Sequence, residues 1–178
     1  VWDCWQVQIL ELRGYERRFA KIAGSYYPID NFKLSYSFRV REEDEWLNWI
    51  DGNELAVYDL TQKIISFNMN WFEGRKHEVR LKSQFVALDA ENPISLISNS
   101  DGYLFNHTSD VKPFTQGIAS FQIRYKYEIA PLSYIYAVYT KGGRVYDDEN
   151  ERNTSKVFKD PWSNPDNEIF SLKFRLKF

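Results

Sequence analysis

The stretch 168–178, EIFSLKFRLKF, constrains the fold of this chain more than any other. Phe170, Leu172, Phe174, Leu176 and Phe178 alternate with Ser171, Lys173, Arg175 and Lys177. Alternation at period two sends the apolar side chains to one face of a strand and the polar ones to the other. In water, a strand that ends bare and apolar invites edge-to-edge pairing. A strand that closes a barrel in a bilayer has no free edge, and lipid accepts its apolar face. The expected class is therefore all-β: an antiparallel transmembrane β-barrel.

The same alternation recurs upstream. Phe32, Leu34, Tyr36, Phe38 and Val40 oppose Lys33, Ser35, Ser37, Arg39 and Arg41. Ile65, Phe67, Met69 and Trp71 oppose Ser66, Asn68 and Asn70, and Val79, Leu81, Phe85 and Ala87 oppose Glu78, Arg80, Lys82 and Gln84. Phe121, Ile123, Tyr125, Tyr127 and Ile129 oppose Ser120, Gln122, Arg124, Lys126 and Glu128. These patterns predict strands over 2–13, 32–41, 60–72, 77–88, 117–130, 134–141 and 168–178. No helix pattern of useful length stands out. Long polar connections are expected at 42–59, 89–116 and 142–166, and tight turns at 73–76 and 130–133, with 14–31 a polar and aromatic connection.

If the last connection is extracellular, five of the six connections put long loops outside and tight turns inside, as in outer-membrane barrels. The exception is 14–31, where Tyr26 to Ile29 could extend the second strand. Seven strands is an odd count for a single-chain barrel. The expectation is one segment, 1–178, forming the C-terminal part of a barrel whose remaining strands precede it.

Composition agrees with this class and excludes others. Aromatic residues make up 17% of the chain and charged residues 27%. Mean hydropathy is −0.54, and no run approaches the ~18 apolar residues a membrane helix needs. Barrel strands hide their hydrophobicity from such averages by alternating. A net charge of −2 gives no reason to expect nucleic acid as a partner. The lone Cys4 forms no internal disulfide. Alternation alone also suits a soluble ligand-binding barrel, with the apolar face inward. Aromatic residues near strand ends and strand lengths close to the ~9–11 residues that cross a bilayer favour the membrane.

On that reading Lys33, Arg39, Arg41, Arg80, Lys82, Arg124, Lys126, Glu128, Lys173, Arg175 and Lys177 line the lumen and make its wall basic. Such a wall favours anions if open, or pairs with a plugging domain if not. Trp46, Trp49 and Trp162 fall in outer connections, where they could stack on sugar rings. His77 and His107 stand apart, with no second ligand at metal or triad spacing. Asp147, Asp148, Glu149 and Glu151 lack the alternating oxygen ligands and central Gly of a calcium loop. Neither a catalytic set nor a cofactor is expected.

The terminal Phe178, with the alternating apolar residues before it, resembles the C-terminal assembly signature of bacterial outer-membrane barrels. LRGYERRF (12–19), SYSFRVREEDEWLNW (35–49), NWFEGRKHEVRLKSQFVAL (70–88) and FQIRYKYEIAPLSYIYAVYTKGG (121–143) together are similar to one family. It is the C-terminal barrel domain of bacterial proteins whose N-terminal part resembles a family-nine carbohydrate-binding module. The resemblance implies an outer-membrane barrel. Its expected partners are lipid, the barrel-assembly machinery and a periplasmic or surface domain. The functions it leaves open are a channel or transporter, a scaffold for a partner domain, and a carbohydrate-binding surface protein.

Overall fold

The computed structural model describes residues 2–12, 17–147 and 154–177. Nine strands and one helix follow in order. They are β1 (Trp2–Leu12), β2 (Arg17–Ile29), β3 (Phe32–Asp51), β4 (Glu54–Glu73), β5 (His77–Ser98), β6 (Leu104–Asn106), β7 (Phe114–Ala130), β8 (Ser133–Asp147), α1 (Thr154–Ser163) and β9 (Asn167–Arg175). The chain is all-β. It forms one antiparallel sheet in the order β1-β2-β3-β4-β5-β7-β8-β9, with the short β6 paired to β5 beside this path. Among the described residues β1 pairs with β2 alone and β9 with β8 alone.

Three features depart from the sequence-based expectation. First, 14–31 contains a complete strand, β2, so the path holds eight strands and the parity argument for a missing strand lapses. Second, 42–59 is no loop: β3 and β4 run on to a hairpin tip at Gly52, whose φ of 50° supplies the left-handed turn. Likewise β5 extends to Ser98, and β8 extends to Asp147 rather than ending at 141. Third, a helix, α1, interrupts the connection before β9. Phe178, Asp148, Glu149 and Glu151 lie outside the described residues.

Connection lengths divide the two ends of the sheet. At one end β2–β3, β4–β5 and β7–β8 are joined by the tight turns 30–31, 74–76 and 131–132. At the other end β3, β4 and β5 run on together beyond β2 and β7, and the longer connections carry β6 and α1. On the projecting part β3 and β5 each bulge beside Tyr58, and Glu45 and Asn92 take positive φ there.

Directly paired residues share a face, which sorts the sheet into two sides. One side carries rows such as Ile22–Phe38–Ile65–Phe85–Ala119 and Tyr26–Leu34–Met69–Leu81–Ile123–Tyr139–Phe170. On β4 this apolar belt lies between the rim charges Glu73 and Lys63, with Trp71, Met69, Phe67 and Ile65 between them. That interval is roughly 34 Å of strand at ~3.4 Å per residue, or about 26 Å in height at a barrel-like tilt of ~40°. Among the strand residues inside the belt from β2 to β9, the charged ones are Lys141 and Glu168, paired across β8 and β9. Large apolar side chains stand open on this side: Ile22 is 46% exposed, Phe38 42% and Ile65 41%.

The helix α1 lies on the same apolar side, where the sheet offers it small residues. A Cβ on Gly143 would meet the Pro161 carbonyl oxygen at 2.1 Å, so only glycine admits this approach. Pro161 and Val157 are buried there, and Trp162 meets Phe121 edge-on with ring centres 5.5 Å apart.

Candidate functional site

The opposite face of the sheet is polar, and its register gathers residues distant in sequence. Lys33, Asn70, Arg80 and Arg124 form one cross-strand row, and Ser35, Asn68, Lys82, Gln122 and Thr140 the next. Ser37, Ser66, Gln84 and Ser120 follow, then Lys21, Arg39, Ile64, Val86, Ile118 and Arg144. Small hydroxyl and amide side chains thus fill the middle rows, with cations on either side. Because the middle side chains are short, the face is hollowed there. One hollow of about 280 Å³ is lined by Lys21, Ser25, Ser35, Ser37 and Asn68, where the Ser25 and Ser35 hydroxyls lie 2.9 Å apart. A second, of about 380 Å³, is lined by Ser66, Asn68, Lys82, Gln84, Ser120, Gln122 and Thr140.

Towards the tight turns the polar face carries a charge cluster. Glu78 is only 8% exposed. It pairs with Arg80, with Arg124 at 3.2 Å and with Lys126 at 3.6 Å. Burial of a carboxylate is costly unless it is paired and hydrogen-bonded, and three cations around one carboxylate meet that cost while leaving the cluster net positive. The Lys126 ammonium also sits 4.4 Å from the centre of the Tyr134 ring.

Towards the other end Glu43 stands between Arg17 and Arg41. Burial pushes its carboxyl up. The hydrogen bonds and charges of the two arginines outweigh that and hold it below the usual carboxylate range. Between the rows of Glu43 and Glu78, the polar face from β2 to β9 holds Lys21, Lys33, Arg39, Arg41, Arg80, Lys82, Arg124 and Arg144 and no carboxylate.

Beyond Glu43 the same face turns apolar and closes. Tyr58, 2% exposed, packs with Ala56 and Ala90, and Trp46, Leu88, Val111 and Phe114 lie against them. Phe114 meets Tyr58 edge-on at 5.2 Å and stacks on Tyr146 at 5.2 Å. Burial, and next the nearby Tyr146, raises the Tyr58 phenol above its ordinary value. The β5–β7 connection thus folds over the far end of the polar face.

The cations singled out from the sequence share this face: Lys33, Arg39, Arg41, Arg80, Lys82, Arg124, Lys126, Lys173 and Arg175, together with Glu128, occupy its registers. Lys177 lies past β9, where its backbone N–H donates to the Ser133 hydroxyl at 3.1 Å. Glu78, Lys21, Arg144 and the serine-rich rows were not singled out. Their convergence depends on strand pairing, which no local pattern reveals.

The three tryptophans do not converge. Trp46 belongs to the cluster around Tyr58, and Trp162 rests on the apolar side under the Lys141 ammonium at 5.0 Å. Trp49, 62% exposed, donates its indole N–H to the Gly52 carbonyl at 3.0 Å. Among the described residues no group of three or more His, Cys, Asp or Glu is placed to hold a metal, and no helix is long and apolar enough to cross a membrane. No protein-family model, curated protein or solved structure matches this chain.

Proposed function

We propose that this chain forms the wall of an outer-membrane β-barrel, with its apolar side against lipid and its polar side enclosing a basic, channel-like interior. The observation that carries this reading is the distribution of exposure across β2–β4. Ile22, Phe38, Ile65 and Phe67 stand exposed, while Ser35, Ser37, Ser66 and Asn68 on the other side are half-buried around the hollows. A soluble barrel would put Ile22, Phe38 and Ile65 inside.

Three further features support the membrane. The belt height of about 26 Å is close to the ~25 Å apolar band of such barrels. Aromatic residues mark the rim near the tight turns, where Trp71, Tyr125 and Tyr127 stand on the apolar side. Tight turns at one end and long extensions at the other match the periplasmic and extracellular sides.

A barrel of about eight strands has an interior just wide enough for its own side chains or one small ligand. With the aromatic cluster over one end, the interior suits holding or slowly passing small polar solutes rather than free diffusion. Expected partners are the membrane lipid and the assembly machinery that would take up the exposed β9 strand. The test is folding into vesicles. The chain should insert into lipid vesicles, gain protease protection and migrate differently on gels before and after heating. A chain that folds in plain buffer as a soluble monomer, with no uptake into vesicles, would sink the reading.

A further inference from the structure

We infer that the larger hollow on the polar face is a binding site for a small hydroxylated anion of the sugar-acid type. The inference deepens the proposed interior and rests on that reading for its setting, not for its chemistry. The hollow measures about 380 Å³, within the ~300–1,000 Å³ typical of small-molecule sites.

Two kinds of side chain meet in it. Ser66, Asn68, Gln84, Gln122 and Thr140 can each both donate and accept hydrogen bonds. That pattern matches ligand hydroxyls, which do the same. Lys82 supplies a charge on the wall itself. Arg80 and Arg124 stand one row away, about 7 Å along the strands. Glu78 meets both arginines through a single oxygen, Oε1. A guanidinium has five N–H donors, so each keeps donors free while its side chain is already fixed in place. Fixed cations lose little entropy on binding an anion. A neutral sugar would leave Lys82 and these donors unmatched, and an anion without hydroxyls would leave the amides and hydroxyls unmatched.

The test is calorimetric titration of the protein, folded in detergent micelles, with D-glucuronate, D-glucose and acetate in low salt. Gel heat-modifiability of the same sample reports the barrel. The expected result is saturable binding of one glucuronate per chain, at least tenfold weaker in Lys82→Gln, with glucose and acetate far weaker. No saturable glucuronate binding by the folded protein overturns the inference, as does glucose binding equally well or an unchanged affinity in Lys82→Gln. Should that variant not fold, the native protein is titrated at rising NaCl. Affinity must then fall, and an unchanged affinity overturns the charged site. A chain that folds only without detergent counts against the membrane reading alone, and the same titration then runs in buffer.

Discussion

Arg124 donates a hydrogen bond to Glu78 Oε1 across the β5–β7 pair at 3.2 Å, on a carboxylate almost shut off from solvent. Arg80 and Lys126 meet the same carboxylate. Removing the carboxylate leaves three cations close together with nothing between them. Glu78→Leu is therefore expected to destabilise the folded chain by about 1–3 kcal/mol, less than for a fully buried pair because the cations left behind still reach solvent. Denaturant unfolding in micelles measures this. A loss under about 1 kcal/mol would mean that water or mobile side chains already neutralise the cluster.

Glu43 gives the opposite end of the polar face a pH response with a definite sign. Its carboxyl is held below its ordinary value of 4.5 by Arg17 and Arg41. A depressed carboxylate contributes stability that is present above the unfolded value and lost as pH falls through the lower, folded one. Melting temperature should therefore drop as pH goes from 4.5 downward. Glu43→Gln should flatten that part of the profile while leaving neutral-pH melting only modestly lower. The same acid slope in the variant would assign the effect to other carboxylates.

The parts of this fold that could be read from the chain are those where the two faces meet different surroundings. Phe32 to Val40, Ile65 to Trp71 and Phe121 to Tyr127 alternate cleanly because one side is apolar and the other polar all along the belt. β2 shows no clean alternation because Ala20 and Gly24 on its apolar side are set against Phe19 and Ala23 on its polar side, so its two faces differ little. The far half of the β3–β4 hairpin reads as an acidic loop because Glu42, Asp44 and Glu45 lie beyond the belt, where neither face needs to be apolar. α1 is short and contains Pro161, and what holds it is the space over Gly117 and Gly143, distant in sequence. The polar face was legible strand by strand, whereas its hollows and the Glu78 cluster arise only from register.

Gly117 lies under that helix as Gly143 does. A Cβ at Gly117 would come within 2.2 Å of the Val157 carbonyl oxygen, which is backbone and cannot rotate away. Gly117→Ala must push α1 off the sheet, at a cost of about 1–3 kcal/mol typical of overpacking. The expected readout is faster proteolysis within the connection between β8 and β9, with the strands still resistant. Gly52→Ala is a contrasting control: its Cβ would meet nothing within 4 Å, although its φ of 50° strains any substitution. Unchanged cleavage in Gly117→Ala would show that the helix accommodates the methyl group.

The sharpest contrast between membrane and soluble readings falls on Phe67, mid-belt on β4 and partly exposed. In water, an arginine at such a position is nearly neutral, because its long side chain reaches solvent freely and substitutions of exposed residues usually change stability by under ~0.5 kcal/mol. Against lipid it must desolvate its charge or reach ~13 Å to a rim, and arginine at the midplane of a barrel costs about 2–4 kcal/mol. Phe67→Arg should therefore fold poorly into vesicles. Asn68→Arg, its neighbour on the polar side, adds a cation where others already stand and should insert nearly as well as the native chain. Folding yield into vesicles for the two variants, side by side, measures the difference. Equal yields would place Phe67 in water and remove the lipid from the apolar face. A deficit confined to Phe67→Arg would fix which side of the sheet the bilayer touches.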